Sequence, residues 1–189
     1  MIYFSRHGET IFNKEGRLQG ISDSPLTDVG IEQAKFLKEF SMEKGITRCV
    51  SSPLPRVVET AKIVGIPYSL ENRLREICYG SWEEKCKSEL RKLDLCKERE
   101  REKFTFKHPG QFKGIEGESY EDLFNRLKVF MAYLSEVEAE SNLLVLSHLG
   151  VLRCVYKYFN NLTNEEAGKL EFLNNTILVL DKGRIYEYI

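Results

Sequence analysis

Leu143-Leu144-Val145-Leu146 is followed at once by Ser147-His148. An apolar run with no polar residue interleaved belongs to a strand covered on both faces, as the central strands of parallel sheets are. On its N-terminal side, Tyr120, Leu123, Phe124, Leu127, Phe130, Met131 and Leu134 recur at helical spacing and predict a long amphipathic helix. On its C-terminal side, residues 151–159 read as a helix and 164–170 as a shorter one. Residues 176–180 and 184–188 flank Asp181-Lys182-Gly183 and read as a closing hairpin.

The first third of the chain repeats the alternation. Residues 2–5 form a β-type run. Thr27 is placed to cap a helix carrying Ile31, Ala34, Leu37 and Phe40 on one face, closed by Gly45. Residues 47–51 read as a buried strand, and Ser52-Pro53 as the start of a helix that runs to Gly65. Alternation of this kind predicts an α/β fold, a three-layer αβα sandwich on a mainly parallel sheet with an antiparallel edge strand. Residues 83–107 interrupt the pattern, with nine Lys or Arg and seven Asp or Glu. They read as a solvated, helical excursion and not as a core element. His108-Pro109-Gly110 ends it, and Gly114 and Gly117 keep the chain loose beyond it. Residues 83–116 are expected to form a helical lid on a single domain spanning 1–189.

Composition narrows the function. The chain has 189 residues, 28 Lys plus Arg against 29 Asp plus Glu, 42% hydrophobic and 30% charged residues. That is enough apolar material for a core. The balance excludes a generally basic nucleic-acid binder and gives no reason to invoke a membrane. No run approaches the roughly 18 apolar residues of a membrane span, and the start has neither the basic nor the apolar region of a signal peptide. The five scattered cysteines fit a reduced, cytoplasmic protein. The three histidines, His7, His108 and His148, do not supply the roughly four ligands of a zinc site. No cofactor or metal is expected, and a homodimer is left open.

In open parallel sheets, ligands bind beyond the carboxyl ends of the strands. Three segments reach that edge: Arg6-His7-Gly8, then Ser51-Ser52 with Arg56 a turn later, then Ser147-His148. Two arginines and helix starts make a site for a dianion. A neutral imidazole can attack phosphorus and form a covalent intermediate. By periodicity and topology alone, the chain is an anion-binding α/β domain.

Arg6-His7-Gly8-Glu9-Thr10 with Asn13 resembles the opening signature of the histidine phosphatase superfamily, in its phosphoglycerate-mutase-like branch. Further blocks follow in the family's order. They are Arg17-Leu18-Gln19-Gly20 with Asp23, Pro25-Leu26-Thr27 and Gly30; Ser51-Ser52-Pro53-Leu54 with Arg56; Glu76 with Gly80 and Trp82-Glu83; Gly117-Glu118-Ser119; and Ser147-His148-Leu149-Gly150. The resemblance implies that His7 is the nucleophile and that Arg6, Asn13, Arg56 and His148 form the phosphate pocket. It makes Glu76 the proton donor, with no metal required, and Gly8 a point where the backbone approaches the site closely. Glu9, Thr60 and Arg153 are read as residues that orient the pocket. Leu149 departs from the family's usual His-Gly and puts the shape beside His148 in question, not the role of the histidine.

The mutases that the chain resembles are longer, with a tail beyond the last strand, whereas this sequence ends at Ile189. The expectation is therefore a phosphomonoesterase acting on a small phosphorylated metabolite. The alternatives are a phosphoglycerate mutase and a binding module without turnover. Lys85, Lys87, Arg91 or Lys107 would meet a second anionic group, and His108 is expected to have no catalytic role. Whether the substrate is a sugar phosphate, phosphoglycerate, phosphoserine or α-ribazole phosphate is not legible.

Overall fold

The computed structural model describes residues 1–137 and 142–188; Ile189, on which the reading of the chain's end rests, lies outside them. Six strands form one sheet. They are β1 (Ile2–Arg6), β2 (Arg48–Ser51), β3 (Tyr68–Leu70), β6 (Leu143–Ser147), β7 (Ile177–Asp181) and β8 (Arg184–Glu187), in the order β3-β2-β6-β1-β7-β8. β3, β2, β6 and β1 run parallel, and the β7–β8 hairpin adds to β1 antiparallel.

Side chains divide between the faces with the period of two that the pleat imposes. Ile2, Phe4, Leu143, Val145, Leu178 and Leu180 point into one apolar layer. Tyr3, Leu144, Leu146, Ile177 and Val179 point into the other. The first layer is closed by α6 (Tyr120–Val137) and α7 (Leu149–Asn160), the second by α2 (Asp28–Glu43) and α3 (Pro55–Val64). Both faces being covered is why 143–146 carries no polar residue. Among the described residues, no helix is long and apolar enough to cross a membrane.

Three local expectations need correction. α3 starts at Pro55, with Leu54 as its N-cap, and not at Ser52-Pro53. The Ser52 hydroxyl accepts from His148 Nε2 at 2.9 Å and from the Leu54 amide at 3.4 Å, one residue ahead of the helix. Second, the excursion is part of the core. Its short helices α4 (Lys87–Leu90) and α5 (Asp94–Arg101) bury Leu90 and Cys96, and Phe104 and Phe106 follow them into the layer under α6. Phe106 stacks on Trp82 at 5.6 Å. Third, the segment after it is not loose. β4 (Gln111–Phe112) and β5 (Ile115–Glu116) form a hairpin whose turn residues Lys113 and Gly114 both have positive φ, 50° and 78°, as a tight two-residue turn requires.

Candidate active site

The strand register brings the candidate residues together. Arg6 pairs with Ser147 across β1 and β6, and Ser51 pairs with Leu146 across β2 and β6. His7 and His148 therefore leave the sheet at one level, with Ser52 one residue short of it. The His7 amide donates to the Ser147 carbonyl at 3.1 Å, and the Ser52 amide to the Leu146 carbonyl at 3.0 Å.

The tautomer of each imidazole is set by its partners. His7 Nδ1 lies 2.8 Å from the Gly8 carbonyl oxygen. A carbonyl can only accept, so Nδ1 carries the proton and the lone pair is on Nε2. Arg56 Nε donates to that Nε2 at 3.2 Å. Arg56 Nη2 donates to His148 Nδ1 at 3.1 Å, which leaves His148 Nε2 to donate to Ser52 Oγ at 2.9 Å. The two rings stand 5.3 Å apart, edge to face. Both histidines are held neutral, well below the ordinary imidazole value, first by burial and then by the charge of Arg56, with Arg6 adding to it.

Arg56 is the hub. Its remaining N–H groups donate to the carbonyls of Ser22 (2.8 Å) and Gly20 (2.7 Å) and to Asp23 Oδ1 (3.1 Å). A guanidinium has five N–H donors, and each of them has a protein partner here. Burial lowers Arg56 from its ordinary value, with Asp23 opposing.

Arg6 donates through Nη1 to the Phe172 carbonyl at 2.7 Å, and burial pushes it down to about 10 against the opposing charge of Glu76. Glu76 is buried beside the start of α7. Its Oε2 accepts from the Gly150 amide and its Oε1 from the Ile77 amide, both at 3.0 Å. Gly150 is required there, because a Cβ on it would lie 2.2 Å from Glu76 Oε1.

The sequence model of the histidine phosphatase superfamily (branch 1) matches residues 2–184. The chain belongs to this superfamily. It is 34% identical over 183 residues to the 6-phosphofructo-2-kinase/fructose-2,6-bisphosphatase of Gallus gallus, and 35% identical over 185 residues to isoform 3 of that protein from Rattus norvegicus. Each match covers 95% of this chain, which spans 37% and 31% of those longer relatives. Among solved structures, a mycobacterial glucosyl-3-phosphoglycerate phosphatase in complex with VO3 superposes with a TM-score of 0.82 at 25% identity, covering 100% of this chain and 96% of that one. YhfR of Bacillus stearothermophilus gives 0.76 at 29% identity, covering 100% and 95%.

In this member of the superfamily, His7, Arg56 and His148 are in direct contact. Asn13 shares no hydrogen bond with them. Its Oδ1 accepts from the Thr10 amide and from Asn174 Nδ2 at 3.4 Å, while the same Asn174 nitrogen donates to the His7 carbonyl at 2.9 Å. Sequence reasoning missed Asn174. The signal available was topological, because an antiparallel β7 delivers its own start to the edge where β1 ends. At Gly8 the carbonyl meets His7 Nδ1, and a Cβ there would sit 2.3 Å from the Gly30 carbonyl, so the glycine also lets this segment pack against α2. Thr60 accepts from the Gly8 amide and donates to the Arg56 carbonyl. Glu9 accepts from Thr27 Oγ1, and Arg153 bonds Tyr120 Oη, the Leu170 carbonyl and Glu171.

Of the four excursion cations singled out, Lys87 lies near enough for Arg6 to lower it further after burial has done so. Sequence reasoning did not name Arg99 or Lys103. Arg99 also acts on Lys87, and Lys103 is lowered by burial and then by Arg153. His108 is boxed by the rings of Tyr79, Trp82 and Phe106, with Nδ1 donating to the Glu118 carbonyl at 2.7 Å.

Proposed function

We propose that the chain is a phosphomonoesterase that hydrolyses a small phosphorylated metabolite through a phosphohistidine on His7, without a metal ion. The observation that carries this reading is the His7 tautomer. The Nδ1–H bond to Gly8 leaves the Nε2 lone pair facing the Arg56 guanidinium, where a phosphoryl group would be held. Arg6, Arg56, His148 and, through Asn174, Asn13 surround the phosphoryl oxygens, and their positive charge and fixed donors stabilise the transferring group.

In the first step His7 Nε2 bonds to phosphorus as the ester P–O bond breaks, and Glu76 gives its proton to the leaving oxygen. In the second, water attacks phosphorus while Glu76 takes back a proton. The P–N bond then breaks, returning the lone pair to His7 and releasing phosphate. Leu149, the departure from the usual motif, is half-buried against the core and leaves the Gly150–Glu76 bond intact.

The fold is read as one domain, with 83–116 as the lid. Lys87, Arg99 and Lys103 on that segment, with Arg153 beside them, are the cations that would meet a second anionic group, which would compete with Glu171 for Lys103 and Arg153 and with Glu100 for Arg99. Two of the similar proteins are named for a fructose bisphosphate and a glucosyl-phosphoglycerate. A panel of phosphorylated metabolites ranked by kcat/KM should favour such doubly anionic esters.

The test of the chemistry is hydrolysis of a chromogenic phenyl phosphate with excess chelator. Turnover should survive chelation and disappear in His7→Ala. Loss on chelation alone would sink the metal-free route. Conversion of 3-phosphoglycerate to 2-phosphoglycerate without free phosphate would make the chain a mutase.

A further inference from the structure

Glu83 is a buried carboxylate at the first residue of the excursion. It accepts five hydrogen bonds and, among the described residues, has no cationic partner. The donors are the amides of Gly20 (3.0 Å), Ile21 (3.0 Å), Ser22 (3.3 Å) and Tyr79 (2.9 Å) and the Ser22 hydroxyl (2.6 Å). A buried carboxylate is costly unless its lone pairs are filled, so this set of donors has to stay in place. The same loop faces Arg56 on its other side, through the carbonyls of Gly20 and Ser22 and through Asp23. The Gly20–Ile21 peptide thus lies between the Glu83 carboxylate at its N–H and the Arg56 guanidinium at its C=O, and each polarises it in the direction that strengthens the bond to the other. Glu83 charge also reaches Arg56 directly.

The loop cannot find this position without the excursion's root. Leu18 and Glu84, and Gly16 and Lys87, are joined by backbone hydrogen bonds, so residues 16–22 lie along 83–87. A Cβ on Gly20 would sit 2.1 Å from the Ile77 carbonyl and 2.3 Å from Glu83 Oε1. The loop is therefore pressed against the segment that carries Glu76.

We infer that Glu83 is a positioning residue for phosphate binding, holding the loop 20–22 so that its carbonyls aim the Arg56 guanidinium at His7 and His148. Glu83 touches no reacting atom; it acts through the loop and Arg56. This rests on the phosphatase reading of the site.

The substitution Glu83→Gln keeps the shape and replaces one acceptor oxygen with a donor facing the N–H groups of the loop. It should weaken binding of inorganic phosphate by about 10-fold or more, the scale of one hydrogen bond to a charged group lost. Binding is measured by calorimetry, and the melting temperature is recorded alongside. The loss in kcat/KM should be equal for esters of good and poor leaving groups, because Glu76 is left in place. In an Arg56→Lys background, Glu83→Gln should cost little more, whereas a merely structural effect would add in full.

A folded Glu83→Gln protein that binds phosphate as the wild type does overturns the inference, as does full additivity with Arg56→Lys. If Glu83→Gln does not fold, Ser22→Ala removes the shortest of the five bonds alone, and unchanged phosphate affinity there overturns the inference equally. Calorimetry is independent of turnover. A wild-type protein that binds phosphate but turns nothing over fails the phosphatase reading and leaves Glu83 to be decided by binding. One that binds no phosphate removes both.

Discussion

Gly150 is where the proposed acid is most directly exposed to a single-atom change. Its amide holds Glu76 Oε2, and an added Cβ would crowd Glu76 Oε1 at 2.2 Å and the Tyr120 ring at 2.9 Å. In Gly150→Ala the carboxyl group must swing away, while the helix itself gains from alanine's better propensity. Because a general acid is worth roughly 10²–10⁴-fold, turnover of esters with poor leaving groups should fall by about 10²-fold, and that of activated aryl esters much less. Kinetics over a graded series of aryl phosphates checks this, and a uniform decline would count against Glu76 as the acid. At this scale the sequence was legible where chemistry comes directly after a strand: His7, Ser52 and His148 were placed by their position after an apolar run. Asn174 was not, and Glu83 was named only as part of the Trp82-Glu83 block, without a role. Their effect depends on loops meeting across more than sixty residues of sequence, and no local pattern encodes such a meeting.

The excursion is the element whose reading changed most. Its charge content pointed to a solvated appendage, yet Leu90, Cys96, Phe104 and Phe106 are among the buried residues of the larger apolar layer. Two short helices cannot display a long 3.6-residue period, so a few apolar anchors among many charges give no visible stripe. If the excursion is core, truncating an anchor should cost what core residues cost. Phe106→Ala, which removes the ring stacked on Trp82, should lower unfolding stability by about 3–5 kcal/mol in denaturant titration. A loss under about 0.5 kcal/mol, the range of surface substitutions, would return the segment to the surface. The long elements were legible for the opposite reason. The helix Tyr120–Val137 and the strand Leu143–Ser147 extend over enough residues for period or its absence to show.

For the whole molecule, all three histidines are buried and all are lowered from the ordinary imidazole value, chiefly by burial; His108 falls to about 4. A group whose folded value is depressed stays neutral in the native state while the unfolded chain takes up a proton. Its contribution is whole above the unfolded value of about 6.5 and is lost as pH falls toward the folded value. For His108 that window runs from about 6.5 down to about 4, and is worth on the order of 3 kcal/mol. Stability should therefore decline on acidification through pH 6, more gently in His108→Gln than in wild type. Denaturation curves at several pH values measure the slope, and an unchanged slope in the variant would mean that His108 is not the group concerned. The layered fold itself was legible, because an alternating chain with one strand apolar throughout leaves few arrangements that cover both faces. The sheet order was not, since it rests on pairings between distant segments.

Arg56 has no N–H left over, and both imidazole lone pairs that face it are already engaged. On the proposed reading, a phosphate entering this pocket must exchange partners, taking donors that the imidazoles and carbonyls hold. The affinity is then a difference between two nearly complete hydrogen-bond sets. An anion with fewer acceptor atoms or a single charge has too little to offer in that exchange. Common monovalent ions should therefore compete poorly, even though the pocket is lined with positive charge. Selectivity for a dianionic tetrahedral group would come from how well the resting pocket already satisfies itself.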